Sequence, residues 1–533
     1  MATKFKSRKS KRVAPALLGK PRGIIQPRVQ EVGPERFGVV AVDCAKARSK
    51  WMLCDFYGRV LIPPTIVEHQ RAALQLATVQ LREACQRHGL ADHIVAVEMT
   101  GTFHRPVQRA FRRAGSETRL IHPFASKHYR LPASADTKTD DRDLEAIFRA
   151  AVNGFGLLEP VWDPLYRQLQ VLARQRRDLV EKRAVLQCQI RHHLERCLPG
   201  YAALFSGDDL WTRPAAIHLA RRAASAEALR TAGVQGVTCW LEEAQLRFHA
   251  RTVDKIVAWS GNAADADPLA PHLSRVWQAL HDDWLAKTQL IRQLDRELAE
   301  ILVKTPYLLL LSHPGINVVS AADLAAETGP IEHYAHARAI TGRAGLFPSR
   351  YQSDEVDRAD GSLARFRNAR LRAAWLRVAD NLIKCNAHFH GKFELWKQRG
   401  VDGRDIRCRV ANRAVRTVFQ MVGGRQVYRH PSRLDRQYVL DKLLAFHQEH
   451  GTPPHEILRD LHHAADQIPA HEQAAEAAPL QRRYARCRRS RQPGSRQIGE
   501  VLLAVLVRYG VTGLESDVEA QGSRANASER STA

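Results

Sequence analysis

Four acidic residues stand where a folded chain tolerates charge poorly. Asp43 follows the apolar run Phe37–Val42, and Glu98 follows His93–Val97. Both runs read as buried strands. A carboxylate at the end of such a strand is costly unless it is paired, protonated or bound to metal. Further on, Lys138-Thr139-Asp140-Asp141-Arg142-Asp143 opens a helix and sets Asp140 and Asp143 on one face at i, i+3. Convergence of Asp43, Glu98, Asp140 and Asp143 would suit two Mg²⁺ ions about 4 Å apart, one activating a nucleophile and one stabilising a leaving oxygen. Asp140 and Asp143 equally suit a helix N-terminus, and Asp43 suits a turn. The metal reading therefore rests on the order Asp, Glu, Asp-x-x-Asp along strand, strand and helix.

A second constellation is Gly345-Leu-Phe-Pro348-Ser349-Arg350-Tyr351-Gln352-Ser353-Asp354, between a helix-like stretch and an Arg-rich helix. A serine with no histidine nearby is ordinarily a polar loop residue, and chemistry alone does not single out Ser353 as a nucleophile.

The elements that must carry these residues fall into distinct blocks. Strands are expected at Phe37–Val42, Trp51–Tyr57, Val60–Ile62, His93–Val97 and Thr118–Ile121, with helices at Gln70–His88, Phe103–Ala114 and Asp141–Val152. Such alternation implies an α/β layer. In the middle, Leu165, Leu172, Leu179 and Leu186 recur every seven residues, as do Trp277, Trp284, Ile291 and Leu298. They predict long amphipathic helices, packed as a coiled coil or as an ordinary bundle, with Arg176, Arg183 and Lys287 interrupting the stripes. Leu308–Leu311, the turn Ser312-His-Pro-Gly-Ile316 and a helix over Val319–Glu327 resemble a helix-hairpin-helix, which holds DNA backbone through amides at the turn. Arg-rich helices follow at Leu363–Ile383 and Val410–Val422. The expected organisation is a basic flexible arm (1–36), an α/β domain (37–160), a helical or coiled-coil connector (161–305), a mostly α domain bearing the serine (306–425) and a largely disordered C-terminal extension (426–533), in which Val501–Val507 could dock as a helix.

Charge narrows the partners. The 533 residues hold 81 Lys+Arg against 56 Asp+Glu, a formal net charge of +25. A surface this basic attracts polyanions and releases counterions from phosphate backbones, so nucleic acid is the leading partner, ahead of acidic membranes or ribosomes. No run of eighteen apolar residues suggests a membrane span, and the basic start Met1–Arg12 lacks a signal-peptide core. A cytoplasmic location is expected. The nine cysteines are scattered, with no Cys-x-x-Cys pair, which argues against a zinc ribbon or a disulfide framework.

Both constellations, in this order and with a helical insert between them, resemble the DEDD-type insertion-sequence transposases, the IS one-ten group. The similarity covers about Phe37 to Gly424. It is carried by Val42-Asp43-x-x-Lys46, Val97-Glu98-x-Thr-Gly101 and Lys138-Thr-Asp140-x-x-Asp143, then Pro314-Gly-Ile316, Ala326-Glu327-x-Gly329 and Ala344-Gly-Leu-x-Pro348 followed by Ser353. The resemblance implies a RuvC-like (RNase H-like) N-terminal domain and a C-terminal transposase domain. It implies that Asp43, Glu98, Asp140 and Asp143 bind Mg²⁺ and that Ser353 attacks a DNA phosphodiester to form a phosphoserine link. It also implies a homo-oligomer, dimer or tetramer, whose composite site pairs one subunit's carboxylates with another's serine, acting on double-stranded DNA of the element ends and target at the nucleoid. A noncoding bridge RNA would pair with both DNAs. Where many members read Ser-Ser-Gly, this chain has Gln352-Ser353-Asp354, so the role falls on Ser353, with Ser349 as fallback. Two other readings use the same residues: a Holliday-junction or RNase H-like nuclease that attacks with water, and a non-enzymatic nucleic-acid-binding protein.

Overall fold

A computed structural model describes residues 25–130, 139–159, 161–207, 209–223, 225–353, 356–358, 361–364, 367–428, 435–469, 502–503 and 506–507. The chain divides into two compact units, Met1–Val161 and Trp162–Ala533.

The first unit begins with α1 (Gln26–Val32) and continues through β1 (Phe37–Cys44), β2 (Arg48–Asp55), β3 (Val60–Glu68), α2 (Arg71–Arg87), β4 (Asp92–Glu98), α3 (His104–Arg113), β5 (Glu117–Ile121), α4 (Pro123–His128), α5 (Asp140–Val152) and β6 (Leu157–Leu158). The strands form one mixed sheet in the order β3-β2-β1-β4-β5-β6. β1 runs antiparallel to β2 and parallel to β4, with Val42 opposite Val97, and β5 runs parallel to β4. Side chains alternate between faces. Val40, Val42, Val95 and Val97 pack with residues of α2 and α3. Val39, Ala41, Ile94 and Ala96 pack with Leu144, Ile147 and Ala151 of α5 and with Ile25 and Val29. Burial on both faces explains why β1 and β4 are continuous apolar runs.

The second unit runs through α6 (Pro164–Cys197), α7 (Asp209–Thr212), α8 (Pro214–Ala223), α9 (Ala226–Glu243), α10 (Ala250–Gly261), α11 (Ala270–Leu302), α12 (Val318–Thr328), α13 (Ala337–Ala344), β7 (Tyr351–Ser353), β8 (Val356–Arg358), α14 (Ala369–Cys385), α15 (Ala387–Gln398), α16 (Gly403–Gly423), α17 (Asp435–Glu449) and α18 (Pro454–Gln467). The seven-residue stripes belong to α6 and α11, which pack on each other. The ion pairs Arg176–Asp295 and Arg196–Asp267 show that the two run antiparallel. One end of the pair, with Leu169 and Leu298, joins the core of α12–α18. The other end, with Leu186, Ile190, Trp277 and Trp284, joins a separate core with α8–α10. Two of the charges that interrupt the stripes have partners: Arg176 bonds Asp295, and Lys287 bonds Asp283 on its own helix.

Three expectations change. The arm drawn over 1–36 is docked from Ile25 onward, because Ile25 and Val29 are buried and Arg28 clamps Asp92 at 2.6 and 2.8 Å; residues 1–24 lie outside the described residues. The extension drawn over 426–533 as largely disordered holds α17 and α18, whose Val439, Leu440, Leu443, Leu444 and Leu461 are buried in the main core. Leu506 is buried there too, whereas 470–501 and 508–533 lie outside the described residues. The helix-hairpin-helix-like segment has the expected pieces but faces inward. Pro306–Ser312 is a 3-10 turn with Tyr307–Leu311 fully buried, and Ser312, His313 and Pro314 are buried with it. Lys442 Nζ of α17 donates to His313 O and Ile316 O at 3.0 and 2.8 Å, so the carbonyls of this turn are held by the chain's own α17. No described helix is long and apolar enough to cross a membrane.

Gly329, in the Ala-Glu-x-Gly motif, shows why a glycine stands there. Its φ is 77°, and an added Cβ would lie 2.5 Å from the Trp162 ring. Its carbonyl accepts a 2.8 Å hydrogen bond from the buried Tyr307 hydroxyl. Gly329→Ala is expected to destabilise by about 1–3 kcal/mol through overpacking and backbone strain, read as a lowered Tm. Gly261→Ala, with open space around it, should leave Tm unchanged or slightly raised.

Candidate active site

Strand register decides where the first two carboxylates go. Asp43 and Glu98 each lie one residue past the paired Val42 and Val97, at neighbouring carboxyl ends of parallel strands. By alternation both fall on the face that carries Ala41 and Ala96, the face covered by α5. The first turn of α5 reaches the same edge: Lys50, opposite Asp43 in the β1–β2 register, bonds Asp141 at 2.6 Å. Thr139 caps that helix, and Asp140, Asp141 and Asp143 occupy its first turn, where the helix dipole favours negative charge.

The carboxylates differ in surroundings. Asp43 and Glu98 are half-buried, Asp140 is exposed and Asp143 is buried. Glu98 accepts hydrogen bonds from Thr100 Oγ1 at 3.1 Å and from Ser126 Oγ of α4. Asp143 receives Arg130 through Nε at 2.8 Å and Nη2 at 2.7 Å. Arg130 and Ser126 thus supply the positive charge and the donor that a buried carboxylate needs. Beside them, burial pushes the Cys44 thiol up to about 12, helped by the charges of Asp43 and Glu98. A thiol held protonated is neither nucleophile nor metal ligand.

The donor chemistry fits Mg²⁺, since every candidate ligand is a hard carboxylate oxygen. Among the described residues, no three His, Cys, Asp or Glu side chains are grouped closely enough to hold an ion. Asp43 and Glu98 come together, with the first turn of α5 at the same edge, and Asp143 is engaged by Arg130. Lys138 lies outside the described residues. Sequence reasoning missed Lys50, Ser126 and Arg130. Lys50 had a signal, its place opposite Asp43 in a tight hairpin; Ser126 and Arg130, on the segment after β5, had none.

Ser353 lies in the second unit. It ends β7, pairs with Val356 of β8 and is exposed; Asp354 lies outside the described residues. The base of this β-hairpin is firmly held. Ser349 N donates to Ser362 O at 2.9 Å, and Pro348 bridges Leu363. Gly345 is left-handed at φ 67°, and a Cβ there would lie 2.6 Å from Arg372. Arg372 of α14 donates to Ala344 O at 2.9 Å and to Ala364 O, spanning both legs. Asn412 of α16 donates to Leu346 O at 2.8 Å. Ser349, the fallback, belongs to this anchored base, and Ser353 lies beyond it.

Comparison with known families gives two matches. Residues 40–199 match the model of the IS110-type DEDD transposase domain, described as Transposase. Residues 307–394 match the model described as Transposase IS116/IS110/IS902 family. No curated protein matches the chain.

Loss of the Arg372 clamp removes charge-assisted hydrogen bonds worth about 1.5–3 kcal/mol. Arg372→Ala should therefore speed amide exchange in residues 347–364 by roughly ten- to hundredfold while α6 and α11 keep their protection, as read by hydrogen-exchange mass spectrometry.

Proposed function

We propose that this chain, which carries both domains of the IS110-type transposases, is a DNA transposase or recombinase that cuts and rejoins strands through a phosphoserine link at Ser353. One observation carries the reading: Asp43 and Glu98 sit side by side at the carboxyl ends of parallel strands, on the face where α5 brings its acidic first turn. Open α/β sheets bind ligands at that edge. The mixed sheet with helices on both faces supports a RuvC-like, RNase H-like core.

Asp43, Glu98, Asp140 and Asp143 would hold Mg²⁺. Bound there, the metal would screen phosphate charge and lower the pKa of an attacking hydroxyl. Holding Asp140 and Asp143 as ligands requires Asp143 to exchange Arg130 for the cation, which leaves the Arg130 guanidinium available to a phosphate oxygen.

In the chemical step Ser353 Oγ forms a bond to phosphorus and loses its proton. The phosphodiester bond to one sugar oxygen breaks, and that oxygen leaves as a hydroxyl after taking up a proton. Attack on the phosphoserine by another strand's hydroxyl reverses the exchange and restores Ser353. One phosphoester replaces another at each step, so rejoining needs no ATP. The net charge of +25 supports a nucleic-acid partner. By the same resemblance, the chain acts as an oligomer and is directed to element ends and target by a noncoding bridge RNA.

The test combines purified protein, Mg²⁺, labelled element-junction DNA and RNA transcribed from the flanking noncoding region, resolved on a denaturing gel. A labelled protein–DNA band is expected. It should fall by at least about a thousandfold in Ser353→Ala and in Asp43→Asn, the scale for loss of a nucleophile or a charge-stabilising group. DNA cleavage that persists in Ser353→Ala without any adduct would favour a water-using nuclease instead.

A further inference from the structure

Helix α16 lies beyond residue 394, where the second family match ends. Its buried side, Ile406, Val410, Ala411, Ala414, Val415 and Val418, fits the main core. Its outer side carries Arg409, Arg413 and Arg416, all exposed and spaced i, i+4, i+7, so they share one stripe.

Two of these arginines are held differently from their neighbours. On the same helix, Arg404 pairs with Asp402 and Arg407 pairs with Asp380. Arg409 and Arg413 instead stack over the buried Trp396 ring of α15, at 6.0 and 5.4 Å from its centroid. Stacking fixes a guanidinium in place without using its N–H donors. Asp405, four residues before Arg409, forms no ion pair with it among the described residues. Lys392 adds to the positive field, whereas the His388 imidazole, held below its ordinary range by burial, by Lys392 and by Arg413, stays neutral and adds none.

The stripe is also tied to the serine hairpin. Asn412, between Arg409 and Arg413, holds Leu346 O at the hairpin's base. Leu346 and Ser353 are seven residues apart, roughly 23 Å of extended chain. The stripe from Arg409 to Arg416 is about 10 Å long, a length over which one strand of duplex DNA presents about three phosphates.

We propose that Arg409, Arg413 and Arg416 form a phosphate track that holds the backbone of duplex DNA beside the Ser353 hairpin. The choice of DNA rests on the reading that Ser353 attacks DNA; the track itself rests on charge, stacking and spacing.

Binding of a labelled random-sequence DNA duplex to the full chain, measured by fluorescence anisotropy across a salt series, tests the track without requiring chemistry. Each phosphate neutralised contributes about 0.9 to the slope of log K against log salt. The triple variant Arg409→Gln/Arg413→Gln/Arg416→Gln should lower that slope by about 3. A charge-matched variant on other exposed positions, Arg247→Gln/Arg251→Gln/Arg275→Gln, should leave the slope as in the parent, and the triple Arg→Lys variant should restore it. Circular dichroism checks that each variant is folded; if the triple glutamine variant is not, the single variant Arg416→Gln should lower the slope by about 1, and an unchanged slope there overturns the track. An unchanged slope in the folded glutamine variant overturns the track, as does a fall seen with an RNA hairpin and not with duplex DNA. Ser353→Ala should bind with the parent slope. Absence of a Ser353 adduct beside an intact slope effect would fault the serine chemistry and leave the track standing.

Discussion

The parallel pairing of β1 with β4 is the constraint on which the first site depends. Both strands are buried on both faces, so neither can slide without exposing or misplacing an apolar side chain. With Val42 opposite Val97, the next residue of each strand is a carboxylate at the same edge. Alternation then turns both toward α5. A slip of one residue in either strand would send one of the two to the opposite face, among α2 and α3. The acidic turn of α5 reaches that edge because Leu144 and Ile147 bind the helix to the same face of the sheet.

The second unit solves a different problem, holding the hairpin that carries the exposed Ser353 without a large sheet. Arg372 and Asn412 do this by donating to main-chain carbonyls at the hairpin's base, and Gly345 gives the chain the left-handed turn that leads into it. Behind these lies the α6–α11 pair, which belongs to two cores at once. Towards its main-core end, burial pushes Asp295 up, but His450 and Arg176 hold it below the usual carboxylate range. Through His450 this buried charge also ties α17 to the long helices.

Much of this was legible in the sequence. Continuous apolar runs marked β1 and β4 because both faces are covered, and seven-residue spacing marked α6 and α11 because one stripe of each is buried. Asp43 and Glu98 could be named because carboxylates at the ends of such strands need an explanation, whereas the role of Ser353 came from the family resemblance and not from its surroundings. What could not be read were partners set by tertiary packing. Arg130 reaches Asp143 from thirteen residues away, and Arg176 reaches Asp295 from more than a hundred. Nothing local to the Pro-Gly turn at 314–315 shows that α17 would place Lys442 over its carbonyls. Residues 435–467 fell inside the extension drawn over 426–533 as largely disordered, although their apolar positions dock both helices in the main core.

The most direct test of the central claim is to find which atom carries the DNA. The protein–DNA adduct formed with Mg²⁺ would be digested with nuclease and protease and its modified peptide sequenced by mass spectrometry. The account predicts a nucleotide phosphate on Ser353. A nucleotide on Ser349 or any other residue, or cleaved DNA with no modified peptide, would contradict it.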